Sequence, residues 1–234
     1  MSASIKVEAA TVEGIAAFQS LTNQHRVEVA ERMQMQTFDS GDVVINQLNN
    51  ENNVYFIITG RIRVCMFSNN GKEIQLDDLQ PGDMFGELSA IDGCGRTSDC
   101  ISLVNSKLVT LSQADFLTSL ELYSGFNRYV MKRLASMTRK HIGRVFEYSA
   151  HSVRERLHFE LYRLALTQSM GLQTDIVIQC PPTHADLAAR ISTHREAVTR
   201  ELKQLESMGI ITWNRRKHVI HDLIALTVPR SDRA

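Results

Sequence analysis

The most constraining feature of this sequence is a change of period near Ala114. Before it, short apolar runs rich in β-branched residues are separated by turns at Gly41, Gly60, Gly71 and Gly82. Short strands with such punctuation predict an antiparallel sandwich or barrel. After Ala114, apolar residues recur mainly at helical spacing. We therefore expect an α+β chain, with strands concentrated in its first half and helices in its second.

The first half divides into short predicted elements. Between about Thr11 and Met35, apolar residues recur at roughly helical spacing, which predicts short helices. The predicted strands follow, among them Val43–Ile45, Val54–Thr59, Arg61–Phe67, Cys100–Val104 and Lys107–Leu111. The sequence Asn69-Asn70-Gly71-Lys72 predicts a hairpin turn between two of them.

Charge is distributed unevenly along the chain. The formal net charge is zero, but residues 1–127 carry 8 Lys+Arg against 16 Asp+Glu, whereas residues 128–234 carry 18 against 10. This asymmetry indicates that the second half, and not the first, meets a polyanion such as nucleic acid. A solvated basic helix face would give the same composition, so charge alone leaves both interpretations open.

Composition argues against several classes of protein. No run of about 18 apolar residues appears, and the N-terminus lacks the features of a signal peptide, so we expect a cytoplasmic protein without a membrane partner. The cysteines are far apart and form no C-x-x-C pair, which predicts free thiols rather than a metal site: Cys65, Cys94, Cys100 and Cys180. No catalytic or metal-binding set stands out, so we expect neither enzymatic activity nor a bound metal.

A glycine-rich segment links two polar groups. It runs from Gly82 through Phe85-Gly86-Glu87-Leu88-Ser89 to Arg96-Thr97-Ser98. Glycine permits the positive φ angles that turn several N–H groups toward one point. Arg96 would add a bidentate cation for a phosphate, and Glu87 would add an acceptor for sugar hydroxyls. Taken singly, these groups are more often a turn and a surface ion pair, but their combined spacing is more specific.

This segment resembles the phosphate-binding cassette of cyclic-nucleotide-binding domains. The resemblance implies an antiparallel β-roll in which Arg96 holds the exocyclic phosphate and Glu87 the ribose 2′-hydroxyl. The ligand-binding positions that it implies are Gly86, Glu87, Leu88, Ser89, Arg96 and Thr97.

A long helix is predicted from about Phe126 to Tyr148. A stripe with alternating spacings of four and three predicts a coiled-coil seam, although a helix packed on its own sheet would show the same stripe: Val130, Leu134, Met137, His141, Arg144 and Tyr148. In the family, this helix forms the dimer interface and covers the nucleotide. Ser149–Ser152 is the expected hinge.

Two helices joined by a tight turn are predicted near the C-terminus. Thr183 and Asp186 form a predicted capping box, Ser192-Thr193 breaks the pattern, and a second helix runs from Arg195 to Met208. This is the outline of a helix-turn-helix, whose second helix enters the major groove of DNA. Helical hairpins that bind no DNA share the outline.

The order of residues in this region resembles the winged helix of the CRP/FNR regulators. The resemblance implies that Arg195, Glu196 and Arg200 read bases; arginine can pair with guanine O6/N7 and glutamate can accept from cytosine N4. Alternatively, Glu196 caps Thr193, or pairs with Arg200 at i, i+4. Further DNA-binding positions are Thr193, His194, Thr199 and, at the tip of the wing, Arg215, Arg216 and Lys217. Trp213 is expected in the core.

The resemblance predicts a three-part organisation. Residues 1–125 would form the cyclic-nucleotide-binding β-roll with N-terminal helices, 126–152 the dimerisation helix and hinge, and 153–234 the winged helix. It implies a homodimer on palindromic double-stranded DNA, with cyclic AMP as effector, no other cofactor, and RNA polymerase as a partner.

The chain departs from the family where the base should bind. An ungapped count places the adenine-contacting hydroxyl pair at His141-Ile142, with Thr138 one turn earlier. His141 would contact a purine edge or face its symmetry mate, and Thr97 would also suit cyclic GMP. Two other hypotheses stay open at this point. The chain is a regulator of the same kind that responds to a different effector, or it is a nucleotide-binding subunit that acts on a partner protein. Glu87 and Arg96 argue against the former, and the basic recognition helix argues against the latter.

Overall fold

The computed structural model describes residues 5–227, except 70, 72, 170, 172, 215 and 216. The chain divides into two compact units, with the division after Thr138. The first unit contains antiparallel sheets, and the second contains the helix-turn-helix, with a long helix running from one to the other. The predicted fold class is therefore confirmed. The three-part division at residues 125 and 152 stays a prediction.

The first unit surrounds two sheets with short helices. Its helices are α1 (Ala9–Glu13), a 3-10 turn (Ala16–Phe18), α2 (Asn23–Arg32), α3 (Glu87–Asp92), α4 (Gln113–Leu122) and the first part of α5 (Ser124–Ala150). Its strands are β1 (Ile5–Lys6), β2 (Gln34–Phe38), β3 (Val43–Ile45), β4 (Val54–Thr59), β5 (Ile62–Phe67), β6 (Glu73–Leu79), β7 (Met84–Phe85), β8 (Asp99–Ser102) and β9 (Ser106–Leu111).

The two sheets have the orders β1-β2-β9-β4-β7 and β3-β8-β5-β6, and all their neighbouring strands are antiparallel. Strands β5 and β6 pair from Phe67 and Glu73 outward, so the predicted hairpin is confirmed. Asn70 and Lys72 of its turn lie outside the described residues. Strand β7 pairs with β4 and brings Phe85 onto Tyr55, with ring centroids 5.2 Å apart. The sheet thus holds the start of α3 in place.

Aromatic side chains join the sheets to the helices of the first unit. Phe18, Phe56, Phe116 and Phe126 are fully buried. The Phe126 ring lies 4.7 Å from Phe18 and 5.6 Å from Phe116 between centroids. Because Phe126 belongs to the first turn of α5, this helix begins as part of the core of the first unit. Such aromatic contacts stabilise a core beyond the apolar area they bury.

Helix α5 is four residues longer than predicted, and its seam prediction is wrong at both ends. Val130 is buried in the core of its own unit and Leu134 packs against that core. Arg144 and Tyr148 bind the main chain of another helix in the second unit. These four residues therefore make contacts within the chain, whereas His141, in the middle of the stripe, is exposed. The exposed apolar side chains of α5 lie beside it: Met131, Ile142, Val145 and Phe146.

The second unit contains the end of α5, three further helices and a three-stranded sheet. These elements are α6 (Val153–Leu166), α7 (His184–Arg190), α8 (Arg195–Ser207), β10 (Ile176–Val177), β11 (Ile211–Trp213), β12 (His218–Ile220) and a 3-10 turn (Ile224–Leu226). The sheet order is β10-β12-β11, antiparallel throughout. Leu157, Leu161, Val198 and Leu205 form the centre of its core, and Trp213 lies in the same cluster, as predicted.

The joint between α5 and α6 is short and well bonded. Only His151 and Ser152 lie between the two helices. The Ser152 hydroxyl accepts from the Glu155 N–H, and the Glu155 carboxylate accepts from the Ser152 N–H at 2.7 Å, which completes a capping box. The His151 ring lies against Phe146 and Phe159. These contacts lie at the expected hinge, Ser149–Ser152, which stays a prediction.

Candidate functional site

Gly86 makes the closest main-chain approach in the glycine-rich segment. It is the N-cap of α3 and has φ 82°, in the left-handed region that L side chains rarely adopt. A Cβ at this position would lie 2.7 Å from Arg96 Nη1 and 2.9 Å from the Asn53 carbonyl oxygen. Only glycine therefore fits between the segment and the Asn53 main chain.

Arg96 is buried beside Gly86, with only 7% of its surface exposed. Its Nη1 donates to the Gly86 carbonyl at 2.9 Å and to Ser89 Oγ at 2.8 Å, and its Nη2 donates to the Asn53 carbonyl at 2.8 Å. Its Nε is buried without a hydrogen-bond partner among the described residues. Burial lowers the pKa of this guanidinium, while Tyr55, Glu51 and Glu87 act in the opposite direction. The arrangement places a fixed positive charge on the segment.

Glu87 is the first residue of α3 and only 2% of its surface is exposed. Burial raises the pKa of its carboxyl group, while Arg133 and Arg96 act in the opposite direction. Arg133, on α5, also donates to the Met84 carbonyl and forms a 3.3 Å ion pair with Asp83. The long helix thus contributes a cation next to the buried carboxyl group.

The remaining predicted ligand positions differ in exposure. Ser89 is buried and accepts from Arg96, whereas Leu88 and Thr97 are exposed. Thr138 and His141 are exposed on α5, in the first and the second unit respectively. Thr138 Oγ1 donates to the Leu134 carbonyl at 2.9 Å, so its hydroxyl hydrogen is already used. Sequence reasoning missed Asn53 and Arg133, because neither belongs to the segment.

The two helices of the helix-turn-helix are joined as predicted, with one correction. The Thr183 and Asp186 side chains form the expected capping box at the start of α7. Ser192 makes the turn with φ 54°. The N-cap of α8 is His194 and not Thr193, whose N–H donates to the Ala188 carbonyl at 2.9 Å. The predicted box between Thr193 and Glu196 is therefore not formed.

The predicted base-reading side chains share the exposed surface of α8. Arg195, Glu196 and Arg200 are exposed and, with Thr199 and Lys203, line a surface groove of about 500 Å³. No ion pair joins Glu196 to Arg200 in the part of the chain that the structure describes. The alternative i, i+4 pairing is thus not seen. Lys203 was missed, although it lies one turn after Thr199 on the same basic face.

The other predicted DNA-binding positions are not equivalent. His194 and Lys217 are exposed, whereas Thr193 is buried. Lys217 and Asn214 close the wing: the Asn214 N–H donates to the Lys217 carbonyl at 3.0 Å, and the Lys217 N–H donates to Asn214 Oδ1 at 3.1 Å. Arg215 and Arg216 lie outside the described residues.

A buried carboxylate below the helix-turn-helix was not predicted. Glu160, on α6, pairs with Arg163 at 2.8 Å, Arg190 at 3.1 Å and Arg144 at 3.7 Å. Burial alone would raise the pKa of this carboxyl group, but Arg163, Arg144 and Arg190 together hold it below its ordinary value. Glu147 of α5 binds Arg163 from the other side, at 2.6 Å. These charges fasten the end of α5 to α6 and α7.

No group of three or more His, Cys, Asp and Glu side chains among the described residues could hold a metal ion. None of the helices described combines the length and the apolar character needed to cross a membrane.

Comparison with known families matches both halves of the chain. The model of the cyclic nucleotide-binding domain matches residues 35–123, and the model of the Crp-like helix-turn-helix domain matches residues 155–227. The chain belongs to the CRP/FNR family of transcription regulators. The two matches contain the glycine-rich segment and the exposed face of α8. A CRP/FNR protein of this kind binds cyclic nucleotides and DNA.

Individual relatives support the family assignment. The Cyclic AMP receptor protein of Thermus thermophilus is 27% identical over 158 residues, covering 68% of this chain and 70% of that protein. The CRP-like cAMP-activated global transcriptional regulator of Mycobacterium tuberculosis is 23% identical over 207 residues, covering 88% and 92%. The solved structure of the c-di-GMP responsive global regulator CLP of Xanthomonas campestris has a TM-score of 0.69 at 17% identity, covering 92% and 99%, and therefore shows the same fold.

Proposed function

We propose that this CRP/FNR protein is a homodimeric regulator whose affinity for palindromic DNA is controlled by cyclic AMP. The observation that carries the nucleotide half is the contact between Gly86 and Arg96. A guanidinium fixed against a glycine that no side chain can replace gives a small anion a defined place to bind. Arg96 would bind the exocyclic phosphate as a bidentate donor, and its buried Nε is a donor without another partner in the described residues. Glu87 would accept from the ribose 2′-hydroxyl.

The base is the less constrained part of the proposed ligand. The Thr138 hydroxyl donates to Leu134, so only its lone pairs remain. An acceptor suits the exocyclic amine of adenine and that of guanine alike, so this hydroxyl fits cyclic AMP without selecting it. Two of the relatives are named for this nucleotide. Thr97 favours cyclic GMP as a second candidate, because its exposed hydroxyl lies next to Arg96 in the sequence. CLP is named for a third nucleotide, so fold alone does not select one.

Calorimetric titration with cyclic AMP and cyclic GMP tests the proposal. We expect micromolar or tighter binding of cyclic AMP to the wild type, and a loss of about 2–5 kcal/mol in Arg96→Ala, as when a desolvated charged partner is removed. Arg96→Lys should lose most of the same binding because it cannot pair bidentately. Arg32→Ala, an exposed arginine of the same unit, is the control. Unchanged binding in a folded Arg96→Ala variant would contradict the assignment of the phosphate site.

The exposed apolar side chains of α5 support the proposed homodimer. Ile142, Val145 and Phe146 each expose more than 60% of their surface. Single exposed apolar residues are ordinary, but three within five positions of one helix favour an interface. We expect Ile142→Glu to dissociate the dimer at tens of micromolar protein, as measured by light scattering. Lys140→Glu, about 160° away around the helix, is the matched control. A monomeric wild type would contradict the proposal.

The DNA half of the proposal is the sequence-specific reading by α8. Arg195, Glu196 and Arg200 would contact base edges, while His194 and Lys217 would bind phosphates and position the helix. Thr199, whose hydroxyl hydrogen is donated to the Arg195 carbonyl, would support this surface through its bond to His184. Thr193, being buried, would act through the turn. Two such helices related by a dimer axis would read half-sites about 10–10.5 base pairs apart. The proposed partner beyond DNA is RNA polymerase, and the proposed location is the cytoplasm.

A further inference from the structure

A cavity of about 650 Å³ lies within the second unit, where the start of α7, the start of α8 and the wing strands meet. Its lining includes one arginine, Arg195, and two histidines, His184 and His218, together with Trp213 and the prolines 181 and 182. Arg195 also lines the groove on the exposed face of α8. The cavity therefore opens beside the proposed DNA-reading surface.

The hydrogen bonds of His184 fix which nitrogen can gain a proton. Thr199 Oγ1 donates its only hydrogen to the Arg195 carbonyl at 2.9 Å. The same oxygen lies 2.9 Å from His184 Nδ1, so it acts there as an acceptor and Nδ1 carries the hydrogen. In the neutral ring, Nε2 is consequently the unprotonated nitrogen. Protonation of Nε2 gives His184 a second N–H donor and a positive charge.

His218 offers a second titratable group to the same cavity. It pairs across the wing with Trp213, and the two rings meet edge to face with centroids 4.9 Å apart. No hydrogen bond to its imidazole is found among the described residues. Both ring nitrogens are thus available to a ligand of the cavity. Trp213 is the single tryptophan of the sequence.

Positive groups dominate the surroundings of these histidines. Burial, and then Arg195, lowers the pKa of His184, while Glu206 acts weakly in the opposite direction. Burial, and then His184, lowers the pKa of His218. Both rings are therefore mainly neutral at pH 7 in the free protein, because their pKa values lie below the ordinary value near 6.5. A bound anion would reverse the effect of Arg195 and favour both charged rings.

We propose that this cavity binds a DNA backbone phosphate through the imidazoles of His184 and His218, beside the charge of Arg195, and that both rings take up protons when it does. This inference rests on DNA binding by the α8 surface and adds a phosphate site to it. DNA is the ligand favoured by the lining, because Arg195 belongs both to the cavity and to the groove on α8. The consequence is a DNA affinity that increases as the pH falls.

The direction in which DNA affinity changes with pH follows from the linkage between proton binding and DNA binding. The pKa values of both histidines are low in the free protein and higher next to a phosphate, so the complex binds more protons. Affinity therefore rises as the pH falls through the bound-state values, and stops rising below the free-state values. Each proton taken up changes the dissociation constant by up to about tenfold per pH unit. Two histidines should give a slope between one and two.

Fluorescence anisotropy of a labelled mixed-sequence duplex, at fixed low salt and from about pH 8 to pH 5.5, tests this proposal. We expect wild-type affinity to rise at least tenfold over this range, and His184→Gln/His218→Gln to lose most of that rise. His221→Gln is the matched control, since His221 binds Asp175 and Thr212 and does not line the cavity.

The possible outcomes distinguish a failure of the proposed phosphate site from a failure of the proposed DNA binding. A double variant that keeps the wild-type slope would overturn the proposal while leaving DNA binding intact. A wild type that binds no duplex at any pH would contradict DNA binding itself, and the proposal with it.

Trp213 fluorescence gives an independent readout without a variant in the DNA surface. A protonated His218 quenches the adjacent indole, so emission against pH reports the titration of this ring. We expect the midpoint to move upward by at least half a pH unit when the duplex is added, and much less with millimolar inorganic phosphate. An equal shift with phosphate alone would show a free-anion site, and no shift with either would leave His218 outside the interface; both results overturn the proposal.

Discussion

The guanidinium of Arg144, on α5, donates a hydrogen bond to the main-chain carbonyl of Arg190, the last residue of α7. The Tyr148 hydroxyl, one turn later on α5, donates to the same oxygen at 3.1 Å. The last carbonyls of a helix lack partners within the helix. The end of α5 therefore caps α7, the helix that precedes the DNA-reading helix.

We predict that Arg144→Ala weakens the effect of the nucleotide on DNA affinity more than it weakens nucleotide binding. The variant removes a hydrogen bond that holds the end of α7 to α5. Typical coupling free energies between two sites are about 1–3 kcal/mol, which is no larger than the contribution of one charged hydrogen bond, so the loss of this bond is large enough to change the coupling. Anisotropy of operator DNA with and without cyclic AMP measures the coupling, and calorimetry measures nucleotide binding. Arg139→Ala, exposed on the same helix, should preserve both. If the nucleotide enhances the DNA affinity of Arg144→Ala as much as that of the wild type, this contact does not couple the two sites.

Glu160→Gln should destabilise the second unit, because the buried carboxylate that pairs with Arg144, Arg163 and Arg190 would lose its charge while theirs remain. Breaking a buried ion pair on one side costs about 3–5 kcal/mol, and the partial exposure of Arg163 places the expected loss near the lower figure. Urea denaturation followed by Trp213 fluorescence reports this unit. Glu121→Gln, an exposed glutamate of α4, should change stability by less than about 0.5 kcal/mol. Equal stability of the two variants would contradict the prediction.

The same carboxylate gives a defined dependence of stability on pH. The pKa of Glu160 is below its ordinary value in the folded protein, so the folded state binds fewer protons than the unfolded state at acidic pH. Its contribution is complete above the unfolded value of about 4.3 and is lost as the pH falls through the folded value. We expect the wild type to lose stability below about pH 5 more steeply than Glu160→Gln. Parallel curves would contradict this.

Comparing Gly86→Ala with Gly93→Ala distinguishes the effect of backbone strain from the effect of a steric clash. Both glycines have positive φ, but only at Gly86 would a Cβ collide with Arg96 and the Asn53 carbonyl. We expect each alanine to cost about 1–2 kcal/mol of stability for the left-handed backbone, and Gly86→Ala alone to weaken cyclic AMP binding at least tenfold. Thermal unfolding and calorimetry measure the two effects. Wild-type nucleotide affinity in Gly86→Ala would show that Arg96 can move without loss.

His141→Ala tests the proposed contact with the base. Its exposure on α5 leaves the imidazole available to a nucleotide or to a second copy of the chain. We expect binding driven by the phosphate to persist, with a change in the ratio of cyclic AMP to cyclic GMP affinity and a weaker effect of nucleotide on DNA binding. Titrations at one salt concentration measure all three quantities. If the ratio and the coupling are unchanged, His141 belongs to the dimer interface.

Local signals in the sequence predicted local structure well. The glycine turns correctly predicted where strands begin and end, and the Thr183 capping box correctly predicted the start of α7, because these features depend on neighbouring residues. The segment around Gly86 and Arg96 was likewise recognised from its spacing. The buried position of Trp213 followed from its size.

Contacts between distant residues could not be predicted in the same way. Asn53 reaches Arg96 through its carbonyl, which its side chain does not reveal. Glu160 and Arg190 occupy ordinary helical positions, and only packing shows that they meet. The prediction of a coiled-coil seam on α5 was wrong at both ends, because a stripe of period 3.5 fits a core, a partner helix or an ion-pair network equally well. The N-cap of α8 moved by one residue because Ser192 adopts a left-handed turn.

Arg96 directs Nη1 at the carbonyl of Gly86 and Nη2 at the carbonyl of Asn53, and its Nε has no partner among the described residues. A nucleotide phosphate bound by Nε and Nη2 would therefore share Nη2 with the Asn53 main chain, and its affinity would depend on where that carbonyl lies. The threshold concentration of the signal would then depend on the backbone around residue 53, and not only on the atoms that touch the ligand. Changes in the length of the loop from Asn46 to Asn53 could retune the sensor while every ligand contact stayed the same.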